Sequence, residues 1–142
     1  MMNQNPVRYT GTLCTGISLY AMVDLLVRNA RATTSPNNVM MNEVPENLIV
    51  EADQEKLASV MHSLLSSVLD NARNGEIHIS AEKFRDIVIL EIQDRNNYNG
   101  YALGCRLKSV EPEARRMGGD ISVKGQRQLV ATISFSFPNQ AA

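Results

Sequence analysis

Leu57, Val60, Met61, Leu64, Leu65, Val68, Leu69 and Ala72 follow one another at steps of three and one, the period of a single helix face. A stripe that long is not stable in water, so a second layer of structure has to cover it. Asp53 stands just ahead, with a carboxylate suited to accept from the free N–H groups of a first turn. The residues that follow obey a different rule. Ile77, Ile79 and Ala81 alternate with polar residues, a turn is expected at 83–86, and the run 87–92 is apolar but for Glu91. That is the pattern of a β-hairpin, so helix and strand must share one core.

The remaining segments fit the same scheme. Ser18 precedes Leu19, Met22, Val23, Leu26 and Val27, which predicts a capped helix over 18–31. Residues 39–44 and 48–51 read as two strands joined by a short turn at 45–47. A loop from Asp94 to about Ala102 leads into a third helix that ends at Gly118-Gly119, and strands are expected at 121–123 and 129–137. The fold class that results is α+β: a two-layer α/β sandwich with three helices packed on one face of a mixed, mostly antiparallel sheet. Its expected bounds are 17–138, with a loosely ordered segment at 1–16 and a tail at 139–142.

Composition narrows the function classes. A chain of 142 residues, 44% hydrophobic, fits one domain with a real core. Fourteen basic and fifteen acidic residues give a net charge of -1 without a basic run, which argues against nucleic acid as a partner. Cys14 and Cys105 are far apart, and His62 and His78 form no ligand pattern with them, so reduced thiols and a cytoplasmic setting are expected. The longest apolar segment, 19–27, carries Asp24, and no membrane insertion is expected.

The stretch 53–68, Asp-Gln-Glu-Lys-Leu-Ala-Ser-Val-Met-His-Ser-Leu-Leu-Ser-Ser-Val, resembles the helix of sensor histidine kinases and related GHKL ATPases that reads Asp-Pro-x-Arg-Leu and then Asn-Leu-Leu-x-Asn-Ala. The ending, with Gly118-Gly119, Ile121–Val123 and Thr132 through Phe135, Phe137 and Pro138, is similar to the closing strands of the same ATP-binding domain. The resemblance covers about residues 17–138 and implies a histidine-kinase-like ATPase fold with ATP and Mg²⁺ as ligands. It places the catalytic position that orients water or moves a proton at Ser63 and the magnesium position at Ser67. Serine is shorter than asparagine and a poor general base alone, so both roles are weakened. Asn71, one turn beyond Ser67, is the amide that a shifted metal or nucleotide would meet; as a plain residue it is a polar group near a helix end.

The family's Asp-x-Gly-x-Gly motif implies that Asp94 contacts adenine, with Asn96 and Tyr98 in the glycine positions. Its Gly-x-Gly, which binds phosphate at a helix start, falls on the segment with Gly100, Gly104 and Arg106. Thr132 stands where a threonine supports the aspartate. Read without the family, Asp94 is a turn residue and Thr132 an ordinary strand threonine. Nine residues separate Asp94 from Gly104, a short lid for a triphosphate. Fewer than twenty residues precede the first helix, too few for a phosphoacceptor hairpin, so no phosphoacceptor histidine is expected in this chain.

These features imply the ATP-binding domain of a two-component histidine kinase with a degraded site, partnered by a helical phosphoacceptor hairpin domain or a response regulator, with a homodimer among the expected assemblies. The alternatives are a non-catalytic pseudo-ATPase scaffold that keeps the 18–31 helix as its docking face, and a stand-alone serine protein kinase of the anti-sigma type.

Overall fold

A computed structural model of the chain describes residues 14–97, 100–125 and 127–139. The elements run β1 (Cys14–Ser18), α1 (Leu19–Arg31), β2 (Val39–Asn42), β3 (Ile49–Asp53), α2 (Gln54–Asn71), β4 (Glu76–Phe84), β5 (Ile87–Asp94), α3 (Gly100–Leu107), α4 (Glu111–Arg116), β6 (Asp120–Lys124) and β7 (Ala131–Pro138). Strands β2-β4-β5-β7-β6, in that order, form a five-stranded sheet in which only the β2–β4 pair is parallel. β1 and β3 form a separate antiparallel ribbon. The architecture is the expected α+β sandwich.

α1 and α2 each start where a side chain satisfies a free backbone donor, whereas α4 starts without one and carries Pro112 in its first turn. Ser18 Oγ accepts from the Ala21 N–H at 3.2 Å, and Asp53 Oδ1 accepts from the Lys56 N–H at 3.1 Å. The apolar stripe of α2 is buried from Leu57 through Val68. It covers Ile77, Ile79 and Ala81 of β4, Val88, Leu90 and Ile92 of β5, and Ile133, Phe135 and Phe137 of β7, which alternate into one core. The β4–β5 turn is tighter than expected. Phe84 pairs with Ile87, so only Arg85 and Asp86 connect the strands, with Arg85 at φ 57.

Three expectations are corrected. β2 and β3 are not partners: β2 runs parallel to β4, held by the Val39 N–H to Gly75 O and the Glu43 N–H to Ile79 O, while β3 pairs with β1. β1 begins at Cys14, ahead of the boundary expected at 17, and Asn139, beyond the expected end, is tied in by accepting from the Glu51 N–H and donating to Asp86 O. The single third helix is two helices. Pro112 has no N–H to donate, and its ring clashes with the carbonyl four residues back, Lys108, so the chain breaks between Leu107 and Glu111. Four helices therefore stand among the described residues in place of three. α4 ends as expected: Gly118, at φ 75, donates to Arg115 O and Gly119 donates to Ala114 O, the paired bonds of a glycine C-cap. No helix of the described residues is long and apolar enough to cross a membrane.

Candidate functional site

Ser59, Ser63 and Ser67 follow at steps of four on α2, so their hydroxyls stand in one row. Glu113 of α4 accepts from the first two, Ser59 Oγ at 2.7 Å and Ser63 Oγ at 3.2 Å. Ser67 turns back on its own helix and donates to Ser63 O at 2.8 Å. Asp70, one turn on from Ser66, meets Arg106 of α3 at 3.5 Å. Both partners are largely exposed, so the pair is weak as a source of stability, but it sets a carboxylate against the one cation expected to meet phosphate. Asn71 ends α2, buried on the side of Leu64 and Val68, and its amide makes no hydrogen bond among the described residues.

Asp94 ends β5 on the helix-facing side, in step with Val88, Leu90 and Ile92. It is 3% exposed. Its Oδ1 accepts from the Glu76 N–H at 3.2 Å and the Asn96 N–H at 2.9 Å, the arrangement of a turn-capping aspartate. Asn96, in a glycine position of the family's motif, does not take a positive φ; its Nδ2 donates to Asn74 O, and it is Asn74 that takes φ 51. Tyr98 lies outside the described residues.

Two further positions differ from expectation. Thr132 is on the opposite face of the sheet from Asp94, where its Oγ1 accepts from Gln93 Nε2 at 3.2 Å. Asp94 pairs with Ala131, so the site-facing position in β7 has no hydroxyl to support the carboxylate. Gly104 sits inside α3 rather than at its start, which is Gly100, so its N–H is not a free terminal donor. The helix starts early because Ala102 and Leu103 continue it, and Leu103 is 1% exposed in the core.

The donor set does not fit a magnesium ion. Mg²⁺ demands near-octahedral oxygen ligands. Here the hydroxyls of Ser63 and Ser67 are turned to Glu113 and to the helix, and Asp70 is paired with Arg106. No group of three acidic, histidine or cysteine side chains suited to a metal occurs among the described residues.

His78 lies neither at the solvent nor against the helices. Because Ile77 and Ile79 face the core, it points to the other face of the sheet, where its side chain is only 7% exposed. Its Nδ1 meets Glu43 Oε2 and its Nε2 meets Glu76 Oε2, both at 2.8 Å. Only the protonated ring donates at both nitrogens. The hydrogen bond to Glu76 and then that to Glu43 raise its pKa above the ordinary 6.5, against burial and the Arg95 charge. A folded pKa above the unfolded one stabilises the fold fully below 6.5, and that contribution is lost as pH rises through the folded value. The difference in unfolding midpoint between wild type and a His78→Gln variant is therefore expected to shrink between about pH 5.5 and about pH 8. Thermal scans across that range check it, and a constant difference would sink the clamp.

No family model matches the sequence, and no curated protein matches it. Solved structures do. The chain is similar to the Acinetobacter baumannii histidine kinase AdeS (TM-score 0.74, 14% identity, 91% of this chain and 68% of that one). It is similar to the catalytic domain of histidine kinase ThkA (TM-score 0.69, 18% identity, 92% and 99%), which has also been solved with the response regulator protein TrrA (TM-score 0.64, 19% identity, 91% and 42%). A third likeness is to full-length ShkA in complex with AMPPNP (TM-score 0.72, 15% identity), of which the chain spans 32%. The chain has the fold of the ATP-binding catalytic domain of histidine kinases.

Proposed function

We propose that the chain is a signalling module of the histidine-kinase type whose nucleotide site is closed, and that it works by docking to a helical phosphoacceptor hairpin or a response regulator rather than by presenting ATP. The observation that carries this reading is Asp94, which is 3% exposed and whose Oδ1 is already committed to two backbone N–H groups. The engaged hydroxyls of Ser63 and Ser67, Ala131 opposite Asp94, and Asp70 against Arg106 support it. The TrrA bound to ThkA supports the partner class, while the AMPPNP bound to ShkA is the kind of ligand that a live ATP site would require. The cytoplasmic setting expected from the sequence belongs with this reading.

One observation favours a second reading, a live ATP site: the buried amide of Asn71 is uncommitted and would be open to a nucleotide. No observation favours a stand-alone serine kinase. Calorimetric titration with ATP and ADP, with and without Mg²⁺, separates the first two. No heat is expected at about 1 mM nucleotide, which places any binding weaker than about -4 kcal/mol. A micromolar site, about -8 kcal/mol, would overturn the closed-site reading.

A further inference from the structure

β6 is last in the sheet order, and among the described residues no strand lies beyond it. A cleft of ≈ 720 Å³ is lined by residues of α3 and β6, and Asp94, Ser63 and Ser67 do not line it. Ile121, Ser122 and Val123 line it in succession. Successive strand side chains point to opposite faces, so a cleft that touches all three touches the edge of the strand, where alternate N–H and C=O groups lack a ladder partner.

The α3 wall is formed by Gly100, Tyr101, Gly104, Cys105 and Lys108, one face of the helix. Gly104 has no internal explanation. A glycine within a helix costs about 0.5–1 kcal/mol relative to alanine. A Cβ at Gly104 would meet nothing within 4 Å, and its φ is not positive. Neither packing nor backbone requires glycine there, and the missing side chain leaves that part of the cleft wall open. Tyr101 is 81% exposed at the rim. Lys108 and Arg127 line the cleft and enter no ion pair among the described residues, while its one carboxylate, Glu111, is paired with Arg115 at 3.8 Å.

We propose that the groove between α3 and the β6 edge is a docking site for an extended acidic peptide, which adds to the sheet as a sixth strand. An extended backbone is the ligand that matches a row of free N–H and C=O groups, and carboxylates match Lys108 and Arg127. This inference does not rest on whether Asp94 is open to a nucleotide, although the groove wall shares Gly100 and Gly104 with the segment expected to meet phosphate.

The probe is the unlabelled acetylated heptapeptide Glu-Val-Glu-Ser-Glu-Val-Glu, titrated by NMR into the isotope-labelled full chain. Amide shifts are expected in α3 and β6, with slowed hydrogen exchange at alternate β6 amides. In the Lys108→Glu/Arg127→Glu variant the affinity is expected to fall at least about tenfold, and the peptide with lysine for glutamate to bind instead. Both changes are at exposed, unpaired positions, so the fold tolerates them. Gly104→Ala is expected to raise the unfolding midpoint and weaken the peptide. No shifts at about 1 mM peptide, shifts confined to another surface, or an affinity unmoved by charge reversal or by N-methylation of the peptide backbone would each overturn the proposal.

Discussion

Phe135→Ala is expected to destabilise the fold by about 3–5 kcal/mol, the range for truncating a fully buried aromatic. Phe135 is 0% exposed, its ring lies 5.0 Å from that of Phe137 at 31°, and it faces α2 from β7, next to the edge strand. The surroundings have little freedom to close over the space it would leave. Gly119 is packed so tightly on the ring that a Cβ there would stand 2.7 Å from Phe135 Cε1 and 2.6 Å from Ser136 O. The backbone at Gly119 is also fixed by its bond to Ala114 O at the end of α4, so collapse would break that cap. A domain of ordinary stability has only about 5–15 kcal/mol in total, so the variant is expected to lose roughly 6–20 °C in thermal midpoint. Far-UV circular dichroism scans measure it. A shift of less than about 2 °C would mean that the ring is not a core element.

Elements whose signal lies within one segment were legible in the sequence. The α2 stripe, the β4–β5 alternation and the glycine cap of α4 each depend on neighbours a few residues apart. The β1–β3 ribbon was not legible, because Cys14-Thr-Gly-Ile-Ser18 has one strong apolar residue and its partner strand is 35 residues or so away in sequence, so neither strand announces the other. The break between α3 and α4 is legible in Pro112, which cannot continue a helix that runs on from Leu107. The site shows the same division. Thr132 was assigned by resemblance, yet counting back in twos from the buried Phe135 places Ile133 and Ala131 toward the helices and Thr132 away from them. The partner of Ser63 and one of the two partners of His78 were out of reach of local pattern, since Glu113 and Glu43 are 50 and 35 residues distant, whereas Glu76, two residues from His78, shares its strand face. Charge and hydrogen bonding at a site are set by which elements tertiary packing brings together, and periodicity carries little of that.

Asp94→Ala is expected to cost about 2–3 kcal/mol of stability without changing the response to ATP. The alanine leaves the Glu76 and Asn96 N–H groups without their acceptor at a position where Asp94 is 3% exposed, so water does not readily replace it. It also loosens the junction of β4 and β5, which the Arg95 N–H to Glu76 O bond closes on the other side. Asp94→Asn separates structure from ligand binding. An amide oxygen in place of Oδ1 accepts the same two bonds, so the loss is expected to stay under about 1 kcal/mol. Urea denaturation of both variants, with ATP calorimetry beside it, gives a result in which the two roles predict opposite patterns. A backbone-capping aspartate makes alanine costly, asparagine mild and nucleotide irrelevant to both. An adenine acceptor would make asparagine nearly neutral in stability yet abolish a binding heat present in the wild type, and that pattern would reinstate a working nucleotide site.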